Sequence, residues 1–330
     1  MSSTRRTFLT TLAASLLAPR DFVGAQTPTR LARIGWLGGQ ARETAHPYVS
    51  AFQRGLNDLG WVEGQNLHIE WRFSGGQAER LPGLAAELVR LPIGLIVVPS
   101  APGALAAREA TRTIPLVTVA VPDPVELGLV QSLARPGGNV TGLTSSAGPE
   151  LAGKQLELLK TVVPKISRMA LLWNPSTPGT AARLREAEDV ARSLRVEPQP
   201  LEARSPSEFD RAFAAMSAKR AGALLVLSDV MFSTHRIRLA DLAAKGRLPA
   251  MYGIREAVEA GGLMSYGASN PDLFRRAASY VDRILKGAKP ADLPMEQPTK
   301  FELLINAKAA RNLGLAIPQS LRDRVDQVIG

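Results

Sequence analysis

The chain contains no cysteine. Export into an oxidising compartment would therefore add no disulfide, no thiolate metal site can form, and a lipid anchor on an N-terminal cysteine is excluded. Histidine is scarce as well. His46, His68 and His235 are far apart, with no His-Glu-x-x-His run, so no transition-metal site is written. His46 reads as an exposed helix residue. Aromatic residues make up only 5% of the chain, and they are not interleaved with clustered Lys and Arg as a nucleic-acid surface requires. Arg183, Arg185, Arg192 and Arg195 instead alternate with Glu186, Glu188 and Asp189, the pattern of a solvated helix face. No Gly-x-Ser-x-Gly elbow supplies a hydrolase nucleophile. Gly35, Gly38 and Gly39 lack the Gly-x-Gly-x-x-Gly spacing of a dinucleotide site. Gly148 to Lys154 satisfies Gly-x-x-x-x-Gly-Lys, but Gln155 replaces the magnesium-binding hydroxyl and Glu150 would repel phosphate, so a helix start explains it better. No cofactor, metal or catalytic residue is expected.

What is present begins with an export address. Thr4-Arg5-Arg6-Thr7-Phe8-Leu9 places a twin-arginine pair before an apolar stretch ending at Ala18, too short for a permanent membrane span. Val23-Gly24-Ala25 then offers the small residues that a signal peptidase accepts. Residues 1–25 read as a removable leader of twin-arginine type. Thr10 departs from the lysine often found there, which keeps the general secretory route open. The remaining 305 residues suit two α/β lobes of ordinary size and carry +8 of the chain's +10 net charge.

Along the rest, short β-branched runs alternate with helix-length segments. Leu31–Leu37, Asn66–Arg72, Ile93–Val98, Pro115–Ala120 and Asn139–Leu143 read as strands, the rhythm of a parallel sheet. Between them, Tyr48, Phe52, Leu56 and Leu59 fall on one helix face, with Gly60 at the C-terminal cap. After a Pro-Gly-Gly turn at 136–138 the rhythm restarts: Arg168–Trp173, Arg195–Leu201, Ala221–Leu227, Leu248–Met251 and Gly262–Tyr266. A helix over Asp272–Lys286 and the extended connector Ala288–Pro294 follow. Two α/β halves are implied, with no visible sequence repeat.

Several stretches carry a resemblance. They are Gly60-Trp61-Val62-Glu63-Gly64-Gln65-Asn66, Asp123-Pro124-Val125 with Gly128-Leu129-Val130, Ser132 to Gly142, Lys154 to Lys160, Gly261 to Gly267 and Ile284 to Pro294. Together they resemble the ABC-transporter substrate-binding proteins whose relatives take up tryptophan and similar amino acids. The resemblance implies a type I periplasmic binding-protein fold: two Rossmann-like lobes with parallel sheets, joined by a three-stranded hinge and closing over a solute. It implies lobe one at 31–145 plus about 268–292, and lobe two at 146–267 plus about 293–330. It further implies a monomer in the periplasm, unanchored, serving a membrane permease with a separate ATPase. A secreted α/β enzyme and a ligand-sensing module are the alternatives.

In open parallel sheets, ligands bind beyond the carboxyl ends of the strands. The candidate ligand residues are therefore Gly38, Gly39, Gln40, Ser74, Ser100, Ala101 and Asp123 in the first half, and Asn174, Asp229, Tyr252 and Tyr266 in the second. An amino-acid solute needs donors for its carboxylate, here Gly38, Gly39 and Ser100, and an acceptor for its ammonium, here Asp123 or Asp229. Tyr252, Tyr266 or Trp173 would stack on an aromatic side chain. Each has a structural alternative: a tight turn for the glycines, a turn or helix cap for Asp123, the core for Trp173.

Overall fold

The computed structural model describes residues 31–145 and 150–330; the expected leader lies outside the described residues. The first lobe is built from β1 (Ala32–Gly38), α1 (Arg42–Asp58), β2 (Leu67–Phe73), α2 (Leu81–Val89), β3 (Ile96–Val98), α3 (Ala101–Ala110), β4 (Leu116–Thr118) and β5 (Val140–Gly142). Its five strands are all parallel, in the order β2-β1-β3-β4-β5. Strands such as Ile96-Val97-Val98 are covered on both faces and hence apolar throughout.

The second lobe follows with α4 (Glu150–Val162), β6 (Arg168–Trp173), α5 (Thr180–Ser193), β7 (Glu197–Glu202), α6 (Phe209–Ala218), β8 (Ala223–Val226), α7 (Val230–Thr234), α8 (Arg236–Lys245), β9 (Ala250–Tyr252), α9 (Arg255–Glu259) and β10 (Met264–Ala268). The chain continues through α10 (Asn270–Leu285), β11 (Phe301–Asn306), α11 (Ala307–Leu313), α12 (Gln319–Arg322) and β12 (Gln327–Ile329). The second sheet runs β12-β11-β10-β9-β8-β6-β7. Its segment β7-β6-β8-β9-β10 repeats the order of the first sheet, so the two halves share one topology without a sequence repeat.

The two lobes are stitched together by repeated crossings. After β10 the chain returns to the first lobe, where Leu273, Phe274, Ala277 and Val281 of α10 join the core formed by Trp36, Phe52 and Leu56. The connector then binds the first lobe, Met295 N–H donating to Leu133 O (2.7 Å) and Glu296 N–H to Gly142 O (3.0 Å). Only afterwards does β11 enter the second sheet. It arrives from the opposite end and so pairs antiparallel with β10, which makes that sheet mixed where a parallel one was expected. Leu59 also departs from expectation: it caps α1 and is 42% exposed, since the helix ends one residue before its apolar stripe would.

Candidate binding cleft between the lobes

A cavity of about 270 Å³ lies between the sheets, lined by the loops that follow β1, β3, β4, β8, β9 and β10. These are the carboxyl ends of the strands, where the 2-1-3-4-5 strand order leaves its switch points. The volume is near the lower end for ligand pockets, roughly 300–1,000 Å³, and suits a small solute.

One wall is aromatic and belongs to the first lobe. Tyr48 of α1 stacks on Phe274 of α10, with centroids 4.9 Å apart and planes at 12°, and Trp36 of β1 lies 5.9 Å from Phe274. All three line the cavity. The Tyr48 hydroxyl interacts with Glu256 of α9 and with Asn270, so it reaches across to the second lobe; burial, and then Glu256, push its pKa upward.

The opposite side is charged. Asp123 and Glu126 come from the loop after β4, Arg183 and Glu186 from α5, and Asp229 from the end of β8. Arg183 donates from its guanidinium to Ser228 O (3.2 Å) and Thr180 Oγ1 (3.2 Å), while its Nε is buried without a protein partner. Burial lowers the Arg183 pKa, and Asp123 and Asp229 oppose that shift. Burial, then repulsion from Asp123 and Glu126, holds the Glu186 carboxyl above the usual range.

Asp229 is committed to the scaffold. Its Oδ1 accepts from Met231 N–H (2.8 Å) and Phe232 N–H (3.1 Å), capping α7. Its Oδ2 accepts from Asn174 Nδ2 (3.3 Å) and from the Thr177 hydroxyl. Both oxygens of Asp229 are thus engaged within the protein. Ser100 similarly caps α3 by accepting from Gly103 N–H (3.2 Å). Gly39 packs where the lobes meet: a Cβ there would lie 3.2 Å from Val230 Cγ1 of α7.

Of the residues expected from sequence, Gly38, Gly39, Gln40, Ser100, Ala101, Asp123 and Asp229 line the cavity. Ser74, Asn174, Tyr252 and Tyr266 are not in its lining. Ser74 is buried and donates to Gly39 O (2.9 Å), bracing the loop from behind. Asn174 holds Asp229 and accepts from Ser176 N–H (3.0 Å). Tyr252 is buried in the core cluster that also holds Phe209 and Phe232. Tyr266 packs beside Phe301, its carbonyl accepting from Gln155 Nε2 (2.6 Å). Trp173 packs on the core of the second lobe. Sequence reasoning missed Trp36, Tyr48, Phe274, Arg183 and Glu186 as lining residues. The solvated-face reading holds for Arg185, Asp189, Arg192 and Arg195, which are exposed, but Arg183 and Glu186 face the cleft. The periodicity of α5 shows which residues share a side, and a helix face that borders a cleft has the same polar pattern as one that faces open solvent.

Residues 42–329 match the family profile described as ABC transporter substrate binding protein. The chain is 27% identical over 281 residues to a tyrosine-binding protein of Clostridioides difficile strain R20291, covering 84% of this chain and 80% of the relative. A crystal structure of an ABC domain in complex with L-Trp from Streptococcus pneumoniae has a TM-score of 0.85 at 27% identity, covering 90% of this chain and 99% of that one. A conserved domain protein from Vibrio cholerae gives a TM-score of 0.85 at 25% identity with the same coverage.

Proposed function

The chain belongs to the family of ABC transporter substrate-binding proteins, and on that premise we propose that it captures an aromatic amino acid in the interlobe cleft and delivers it to a membrane permease. The observation that carries the reading is the pairing of an aromatic wall, Trp36, Tyr48 and Phe274, with a charged wall holding Asp123, Glu126, Arg183 and Glu186. A zwitterion with a flat apolar side chain satisfies both. Its ring packs against Tyr48 and Phe274, its ammonium meets the carboxylates, and its carboxylate meets Arg183 with the Ser100 hydroxyl and the backbone donors of Gly38 and Gly39. The relatives named for tyrosine binding and solved with L-Trp support the same solute class.

Family membership implies a small-molecule ligand, a permease and an ATPase as partners, and it is not an enzyme family. No helix among the described residues is long and apolar enough to cross a membrane. In the proposed mechanism the solute contacts both lobes, 31–145 with about 268–292 against 146–267 with about 293–330, and so stabilises the closed form. The protein acts in the periplasm, as a monomer, after the leader at 1–25 is removed.

The test is thermal unfolding of protein stripped of co-purified solute by unfolding and refolding, then supplied with aromatic amino acids, aliphatic amino acids, organic acids or sugars. A solute at one hundred times its Kd stabilises by about 2.7 kcal/mol. L-tryptophan or L-tyrosine is expected to raise the midpoint and to be recovered unchanged. A rise with a sugar and none with any amino acid would overturn the assignment, and chemical change of the compound would mark an enzyme.

A further inference from the structure

Behind the wall of the binding cleft lies a second cavity of about 10 Å³, bounded by Gly253, Glu256, Ser265, Gly267, Asn270 and Glu302 among others. Gly253, Gly267 and Asn270 also line the large cleft, so the two cavities share part of their lining. Its two glycines press together: a Cβ on Gly267 would overlap the Gly253 carbonyl. The small cavity sits where the chain leaves β10 for α10, which is one of its crossings between the lobes.

Two of the residues that bound it carry a buried polar atom with no protein hydrogen-bond partner, Oε2 of Glu256 and Oγ of Ser265. These residues are 6% and 1% exposed. Buried polar atoms are almost always satisfied, by protein or by ordered water. We propose that this cavity holds one structural water that bridges Glu256 Oε2 and Ser265 Oγ. The volume is that of about one probe sphere, the least that admits a water, and two polar partners meet the minimum such a water needs. The water donates to the Glu256 carboxylate and accepts from the Ser265 hydroxyl. A metal cation fits less well. It would ask for about six oxygen ligands, and the other carboxylate of the cavity, Glu302, is already held by Arg255 (3.0 Å) and Lys300 (3.4 Å). Arg236 also faces Glu256 electrostatically.

The water has a functional place. Tyr48 of the first lobe lines the binding cleft and interacts electrostatically with Glu256 of the second. A chain of contacts then runs from the cleft through Tyr48 and Glu256 to the water, Ser265 and the strand that leads into the crossing. The water holds the Glu256 carboxylate where Tyr48 can reach it when the lobes are closed. This role rests on the proposed closure, whereas the presence of the water does not.

The test is a high-resolution crystal structure of the full chain grown with L-tryptophan. One density peak is expected at about 2.8 Å from both atoms. An empty cavity, a direct bond between Ser265 Oγ and Glu256, or a peak with six oxygen neighbours would overturn the proposal. A peak in this cavity with no L-tryptophan in the cleft would support the hydration site and count against the solute assignment. In solution, Ser265→Ala, Glu256→Ala and the double variant, each single change removing one end of the bridge, form a cycle read by thermal midpoint. A shared bridge predicts that the double variant loses clearly less than the two single losses combined, and strict additivity refutes it.

Discussion

Replacement of Asp229 separates a scaffold role from a ligand role. In Asp229→Ala, α7 loses the cap provided by the bonds to Met231 N–H (2.8 Å) and Phe232 N–H (3.1 Å), a change that costs about 1–2 kcal/mol. The Asn174 amide and the Thr177 hydroxyl lose their shared acceptor at the same time. Because bonds to a charged group are each worth about 1.5–3 kcal/mol and do not add fully, the total comes to about 2–4 kcal/mol. Asp229→Asn keeps Oδ1 for the cap and turns an amide toward Thr177, whose hydroxyl can reverse to accept, but it sets that amide against the Asn174 Nδ2 donor, which loses its acceptor; its loss should be about 1–2 kcal/mol, still below that of the alanine variant. Urea titration of the ligand-free protein, followed by tryptophan fluorescence, gives these numbers from the midpoint and slope. Solute affinity should fall in parallel for the alanine variant, because Val230 and Ser233 of α7 line the cleft. An alanine variant as stable as the parent, yet unable to bind L-tryptophan, would refute the reasoning and make Asp229 a ligand receptor.

Tyr48→Phe keeps the stack on Phe274 but removes the hydroxyl that reaches Glu256 and Asn270. A loss of about 1 kcal/mol, or roughly a five-fold rise in Kd for L-tryptophan by calorimetry, is expected; an unchanged Kd would count against closure through this contact. The Glu186 carboxyl has its folded pKa raised above the unfolded value, so the native state binds more protons across that window and stability falls as pH rises through it. Glu186→Gln should therefore be more stable than the parent above the window and equal to it below, as read by urea midpoints across pH, and a parallel offset at every pH would contradict this. Gly142→Ala places a Cβ against the Thr118 carbonyl at φ +130°, where β4 and β5 pair, and is expected to cost more than about 3 kcal/mol. Gly83→Ala, exposed in the first turn of α2 with nothing near the new methyl, should stabilise by about 0.4–1 kcal/mol by restricting the unfolded chain; the reverse order of midpoints for this pair would contradict the geometry.

The strands were legible because a doubly covered parallel sheet writes them as short apolar runs between turn residues. Arg168–Trp173 is observed with the limits read from sequence. The strand β11 was not read, since Phe301-Glu302-Leu303-Leu304-Ile305-Asn306 follows a proline-rich connector and runs straight into the helix-forming Ala307. The strand β12 is three residues long and leaves Val328 59% exposed at the sheet edge, which hides it from any pattern of burial. At the cleft, the loops after strands were predictable because topology places them there. The aromatic wall was not. Tyr48 lies on the apolar face of α1 as its spacing indicates, but a face that borders a cavity and one that meets a sheet have the same periodicity.

The shared strand order of the two lobes brings equivalent strand ends to both sides of the cleft, yet the side chains placed there are unequal. Trp36, Tyr48 and Phe274 all pack in the core of the first lobe, whereas the described lining from the second lobe has no aromatic residue and supplies Arg183, Glu186 and the α7 terminus. In the proposed mechanism this inequality orders the steps. A solute's ring can settle on the first lobe while the cleft is open, because that wall is complete before the second lobe arrives. Closure then adds Arg183 and Glu186 of the second lobe to Asp123 and Glu126, which the first lobe already carries. Only contacts made differently in the two forms can shift the equilibrium between them. A flat apolar ring thus decides which solutes dwell in the cleft, and the zwitterionic head group decides which of them close it.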